Sequence, residues 1–445
     1  MKYFNRHIDS VLNRWKSENN HKPILIRGAR QTGKSSAVRN LAKQFDYFLE
    51  INFEEDKAAR AIFDNSNLTP QLLCEKLYAM YNVPIIADKT LLFFDEIQAC
   101  IPAISSLRFF YEKMPELHVV AAGSLLEFAL EEIPSFGVGR IRSLFMYPFS
   151  FAEFLEANGN AGLLAAIKKA NVENPMDETL HKKALYLLKL FMLTGGMPAV
   201  VSKYVTEKDL RQCQQALDDL IVSLRDDFAK YKKRISAVQI SAAFDSVIRQ
   251  MGGKFVYVDK EQIYSAFQIK NAVELLIMAG LVIPVTHTSA NGLPLGAEIN
   301  PKFRKLMLLD TGIFQRLLGL QLSDILLNND FDAINKGGIA EMFAGLELIK
   351  SSSYYQQTQL FYWQREVKNA RAEVDFVVQQ DMDIIPIEVK SGKQGKMQSM
   401  YFFMNEKKSK MGIRSSLENF SVYDKINVIP LYAIGTAQRK EDIGK

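Results

Sequence analysis

Gly28-Ala29-Arg30-Gln31-Thr32-Gly33-Lys34-Ser35 has the spacing GxxxxGK[ST]. Residues of these types in this order build a phosphate cradle. Glycines let the backbone curl so that successive N–H groups turn inward. A helix opening straight after the loop adds the partial positive charge of its N-terminus. Lys34 adds a full charge, and the Ser35 hydroxyl is a ligand for Mg2+. A glycine turn beside a chance lysine would share the letters but lack the context. Here the loop follows an apolar run, Ile24-Leu25-Ile26, and precedes a helical pattern, SSAVRNLAKQF.

Leu91-Leu92-Phe93-Phe94-Asp95-Glu96 supplies the complementary half. A buried strand that ends in two acids is costly unless the acids face a site. Asp95 is placed to hold Mg2+ through water, and Glu96 to take a proton from a water attacking the γ-phosphate. The competing reading is a pair of acids that caps the next helix. Ser124, at the tip of the run His118 to Ala122, is a candidate sensor of the γ-phosphate or a plain helix cap. Arg140 and Arg142 are candidates to neutralise transition-state charge. Asn52, at the tip of another apolar run, is a candidate to hold Glu96 inactive.

A second constellation lies near the end. The runs Glu373 to Gln379 and Ile384 to Lys390 flank Asp381-Met382. If those two residues form the turn of a hairpin, Gln380 pairs with Asp383, Asp375 faces Glu388, and Glu373 faces Lys390. Facing like charges are destabilising, so something positive belongs between them. A divalent cation held by Asp375, Glu388 and Glu341 from the preceding helix is the expected occupant. Lys390 points the same way as Glu388, two residues earlier on the strand. From there it could activate a water or steady a phosphoryl group. The alternative is a solvated charged face.

These groups need elements to position them. Short apolar runs at Ile24 to Ile26, Tyr47 to Phe53, Leu91 to Phe94, His118 to Ala122 and Ser143 to Tyr147 alternate with helical patterns, including one over about 68–81. That alternation predicts a parallel sheet covered on both faces, an α/β domain over residues 1–150. Helices dominate residues 151–234, punctuated by Thr194-Gly195-Gly196-Met197-Pro198. Residues 235–325 read as two helices followed by two strands, a winged-helix outline. Its second helix begins near Gln268-Ile269-Lys270-Asn271, and the basic run Lys230-Tyr231-Lys232-Lys233-Arg234 lies upstream, so contact with DNA is a candidate role. A polar stretch then leads into residues 336–445, a smaller α/β region with the order α-β-β-β-α-β.

The first set of motifs resembles the additional-strand division of P-loop ATPases, in particular the AAA+-like group. GARQTGKS, LLFFDEIQ, AAGSLLEF, GRIRSLFMYPFSFAEFL, LTGGMPAVV and VDFVV…IEVKSG occur in that order. Together they resemble a large prokaryotic family of ATPases with an AAA-like domain ahead of a C-terminal part of unknown function. The late region resembles a PD-(D/E)xK nuclease, that is, a restriction-endonuclease-like fold. Asp375, Glu388 and Lys390 match its signature and Glu341 matches an extra acid, although Val374 stands where a proline is usual. The resemblance implies a Mg2+-dependent ATPase that binds ATP through Gly28, Ala29, Arg30, Gln31, Thr32, Gly33, Lys34 and Ser35. It also implies a second divalent metal at the hairpin and a link to nucleic acid. An inactive nuclease-like module that binds a protein partner, or a second copy of the chain, is the rival expectation.

Composition narrows the classes without choosing among them. The 445 residues are 48% hydrophobic and 24% charged, an ordinary globular balance that excludes disordered, collagen-like and disulfide-framework chains. The net charge of +5 neither demands nor excludes nucleic acid. Cys74, Cys100 and Cys213 are too scattered for a metal knuckle and fit a reducing compartment. The most apolar run, Leu275 to Val285, is too short for a bilayer. The expectation is a soluble, cytoplasmic protein.

Overall fold

The computed structural model describes residues 2–64, 69–131, 133, 139–231, 235–258, 263–322, 338–365, 372–390 and 397–437. The polar stretch at 327–337 and the last three residues of the basic run, 232–234, lie outside them. The chain forms two units. One comprises Met1–Pro148 with Met278–Gly280 and Ser353–Gln357; the other comprises Phe149–Ile277, Leu281–Ser352 and Thr358–Lys445.

In the first unit the order is α1 (Ile8–Lys16), β1 (Ile24–Arg27), α2 (Lys34–Ala42), β2 (Tyr47–Asn52), α3 (Lys57–Phe63), α4 (Pro70–Tyr81) and β3 (Thr90–Asp95). It continues with α5 (Ile101–Lys113), β4 (His118–Ala122), α6 (Leu126–Glu131) and β5 (Arg142–Phe145). The five strands form one parallel sheet in the order β2-β3-β4-β1-β5. Successive side chains of a strand point to opposite faces, and here both faces are apolar. Leu25, Leu92, Phe94, Val119 and Ala121 enter one core. Ile24, Ile26, Leu91, Phe93, Val120 and Leu144 enter the other. That explains unbroken apolar runs where a half-exposed sheet would alternate. Because every strand runs the same way, their C-terminal ends share one edge, and β4 stands between β1 and β3.

The second unit opens with five helices, α7 (Phe151–Ala157), α8 (Ala161–Lys169), α9 (Glu178–Thr194), α10 (Pro198–Glu207) and α11 (Leu210–Asp227). Then come α12 (Ala237–Arg249), α13 (Ala266–Met278), β6 (Val282–Thr288), β7 (Ile299–Leu308), α14 (Thr311–Leu317) and α15 (Gly338–Lys350). The remainder is β8 (Leu360–Gln364), β9 (Glu373–Gln380), β10 (Asp383–Val389), α16 (Gln398–Lys407), β11 (Gly412–Ser416), β12 (Ser421–Tyr423), β13 (Ile426–Pro430) and α17 (Ile434–Ala437). Phe151, Phe154, Phe191 and Phe343 pack ring on ring and tie α7, α9 and α15 together.

The regions expected at 151–234, 235–325 and 336–445 fall within one compact unit. All their strands form one eight-stranded sheet, β12-β13-β11-β10-β9-β8-β6-β7. The expected wing is drawn in because β6 has a second edge, and parallel pairing with β8 satisfies backbone groups that an edge strand leaves open. The last strand ends at Pro430, and a short 3-10 turn follows.

Candidate functional site

The C-terminal edge of the parallel sheet gathers most of the first constellation. The loop from Gly28 to Gly33 joins β1 to α2, and its φ angles are positive at Gly28 (139°), Gln31 (62°) and Gly33 (98°). Such turns aim backbone amides into a concavity suited to an anion. At Gly28 a side chain is excluded outright, since a Cβ would lie 2.1 Å from the Met146 carbonyl oxygen. The buried Thr32 hydroxyl donates to the Ala29 carbonyl at 3.0 Å and closes the loop on itself.

Lys34 is buried, and its Nζ donates to the carbonyls of Gly28 (3.0 Å) and Ala29 (2.8 Å) within its own loop. Burial pushes its ammonium down to about 8, against the pull of Glu96 and Asp95. Ser35 Oγ donates to Asp95 Oδ2 at 2.8 Å, while Oδ1 of the same carboxylate accepts the Glu96 N–H at 3.1 Å. Burial raises the Asp95 carboxyl above its ordinary value, and the Ser35 bond opposes that rise. A hydroxyl and a buried carboxylate in contact, beside an amide-lined loop, are the donor set that Mg2+ with a polyphosphate requires. The residues fit the group.

Glu96 leaves β3 in a left-handed conformation, φ 46°. Its Oε2 accepts from Gln98 Nε2 at 2.7 Å and from Ser124 Oγ at 3.2 Å. Ser124 therefore lies beside the candidate base. Asn52 does not restrain Glu96: it pairs with Asp95 across the strands, and its Oδ1 accepts the Glu54 N–H at 2.9 Å. Gln98 takes the restraining place instead, packed where a Cβ on Gly123 would meet its Oε1 at 2.1 Å.

The arginines fall at the wrong end. Arg142 pairs with Ile24, the first residue of β1, so it stands at the sheet edge away from the loop. It is bonded to Glu18 at 2.6 Å, and Arg140, just before it, pairs with Glu112. Arg142 therefore stands away from the phosphate loop of its own chain. The sequence carried no signal for Arg6, which is buried and supports the loop from behind. Its Nη1 donates to the Thr32 carbonyl at 3.1 Å and its Nη2 to that of Tyr147 at 2.8 Å.

In the second unit the hairpin ladder follows the expected register from Gln380–Asp383 as far as Phe376–Ile387, and the expected pairs Asp375–Glu388 and Glu373–Lys390 lie beyond its end. Gln380 pairs with Asp383 and Phe376 with Ile387, across a turn with Asp381 at φ 54°. Asp375 Oδ2 accepts the Val389 N–H at 2.8 Å. What stands between the carboxylates differs from the expectation. Lys305 of β7 puts Nζ 2.8 Å from Glu341, 2.5 Å from Glu373 and 3.9 Å from Asp375. Burial alone would lower this ammonium, but the three carboxylates outweigh it and hold it above its ordinary range. Burial pushes Glu341 up to about 7 and raises Asp375 as well. Glu388 pairs with Lys390 at 2.5 Å, and its other oxygen, Oε2, is buried with no hydrogen-bond partner among the described residues. No group of three His, Cys, Asp or Glu among the described residues could hold a metal ion. The acids divide between two lysines, and the divalent centre expected at Glu341, Asp375 and Glu388 does not fit this arrangement.

Of the candidate DNA contacts, Gln268 and Lys270 are exposed at the start of α13, and Lys230 pairs with Asp227 at 3.5 Å. Cys74, Cys100 and Cys213 are free and buried. No helix among the described residues is long and apolar enough to cross a membrane.

Residues 20–155 match the family model of an AAA domain. Residues 186–324 and 336–434 match two domains of unknown function, DUF8612 and DUF4143. No protein of curated function matches the chain. Similar solved structures include the Walker-type ATPase PABY2304 of Pyrococcus abyssi, with 14% identity and TM-score 0.43 over 71% of this chain and 96% of that one. They also include C. elegans PCH-2, with 14% identity and TM-score 0.22 over 62% of this chain and 65% of that one. A third is Drosophila ORC bound to AT-rich DNA and Cdc6, with 13% identity and TM-score 0.20 over 70% and 88%. Scores this low add no weight to the fold. The AAA match covers the loop, β3 and β4, so the first unit is an AAA-type P-loop domain, a fold suited to binding and hydrolysing a nucleotide.

Proposed function

We propose that this protein is a Mg2+-dependent ATPase that works as a nucleotide-driven switch. The observation that carries the reading is the meeting of Lys34, Ser35, Asp95 and Glu96 at one sheet edge, with Ser35 bonded to Asp95. The loop amides and Lys34 bind the β- and γ-phosphates, with Lys34 exchanging its two carbonyl partners for phosphate oxygens. Mg2+, held by Ser35 and Asp95, supplies neutralising charge to the phosphates when it is bound. Glu96 accepts the proton of the attacking water, and Ser124 and Gln98 orient its carboxylate. Phosphate release measured against ATP and Mg2+ tests this directly. Hydrolysis that survives both Lys34→Ala and Glu96→Gln would sink it.

The rival reading couples hydrolysis to cleavage of nucleic acid at Asp375, Glu388 and Lys390. It draws support from the order α15, β8, β9, β10, α16, β11 and from the meeting of these residues on one hairpin. Against it stands the pairing of those acids with Lys305 and Lys390, which favours a non-cleaving module. Incubation with single- and double-stranded DNA and Mg2+ or Mn2+, with and without ATP, separates the two. Cleavage lost in Glu388→Ala would establish the nuclease.

A further inference from the structure

An acid-rich hairpin in a sheet has a physical problem. Carboxylates a few ångströms apart in a buried setting repel, and each has lost hydration. A divalent ion taken from solution is one way to balance that charge. Here the balancing charge comes from another strand. The Lys305 side chain is only 3% exposed, and its ammonium lies within 2.8 Å of Glu341 and 2.5 Å of Glu373, with Asp375 at 3.9 Å. The Tyr362 ring, itself buried, lies under the ammonium with its centroid 5.2 Å away, a further attraction for a cation. The remaining oxygen of Asp375 is taken by the Val389 amide. Lys390 pairs with one oxygen of Glu388 at 2.5 Å, and the other, Oε2, has no hydrogen-bond partner among the described residues.

We infer that Lys305 is the resident cation of this hairpin: its ammonium stands where a divalent ion would be needed, so the module balances its charge within its own chain. A divalent ion would have to expel a buried lysine whose aliphatic stem and charge are both already housed before it could reach Glu341, Glu373 and Asp375. β7 carries this lysine, so the strand pair expected as a separate wing is the part that completes the acidic site. The inference deepens the reading of the second unit as non-cleaving. It is tested by metal binding, which is independent of the cleavage assay used for that reading.

The test uses full-length, nucleotide-free protein and Mn2+ alone, followed by electron paramagnetic resonance of free and bound ion. Binding is assigned to the hairpin only if Asp375→Asn removes it. The native chain should show no Asp375-dependent binding up to millimolar Mn2+. Lys305→Met, which keeps the stem and removes the charge, should gain an Asp375-dependent site at least tenfold tighter than anything in the native chain. Lys305→Arg, which keeps the charge, should gain none. Asp375-dependent binding in the native chain or in Lys305→Arg overturns the inference, and so does a folded Lys305→Met that gains no site. If Lys305→Met fails to fold while Lys305→Arg folds and stays silent towards Mn2+, the requirement for a cation at this place is supported.

Discussion

Lys34 in the first unit and Lys305 in the second are both buried lysines set beside carboxylates, yet they are prepared for opposite tasks. Lys34 is capped by two neutral carbonyls, and burial brings its ammonium down to about 8. Lys305 is capped by carboxylates that hold it above its ordinary range. A carbonyl partner is surrendered cheaply to an incoming phosphate, whereas a carboxylate partner is not. Partner chemistry, more than burial, distinguishes a lysine awaiting a ligand from one already committed.

Substitutions can break or sharpen that contrast. The largest effect is expected from Glu96→Gln, which should lower kcat on the order of 10³-fold while ATP still binds, read by phosphate release beside fluorescent-nucleotide titration. Lys34→Ala should reduce kcat/KM by some 10²-fold or more. Stability should reverse the ranking. Lys305→Met strands buried acids and should cost about 3 kcal/mol in urea unfolding, whereas Lys34→Met, which removes a charge that burial already disfavours, should cost well under that. The two lysines should also differ in pH response. Nucleotide-free Lys34 loses its proton as pH rises through about 8. ATP affinity should therefore be level below that pH and weaken by up to about tenfold per unit above it, because binding must then recover a proton. Least of all, Gln98→Ala should lower kcat a few-fold with KM unchanged, since it acts through the orientation of Glu96.

The parts legible in advance were those governed by local rules. The strands of the first sheet read as apolar runs because both faces are buried. The hairpin register followed from a two-residue turn at Asp381-Met382, which sets the facing pairs as far as Phe376 and Ile387. What failed depended on long-range placement. Arg140 and Arg142 were candidates by residue type alone, and strand direction puts Arg142 at the edge away from the loop. Lys305 sits in INPKFRKLML with other basic residues, and nothing local distinguishes it from a solvated one. β11, read as GIRSS, is buried along its whole length with neither alternation nor an apolar run. Its Arg414 is buried and bonds Glu418, four residues on, at 3.0 Å.

The pairing of β6 with β8 has a kinetic consequence. Val285 meets Leu360 across some 75 intervening residues, and the strands from β8 to β13 are laid out from that seam. Closing so long a loop costs entropy before any contact repays it, so the sheet of the second unit should assemble slowly, after the locally wired helices α7 to α11. A chain cut between residues 322 and 338 would not yield two independent pieces. It would leave β6 and β8 each with an unsatisfied edge, and edges of that kind seek one another in other molecules.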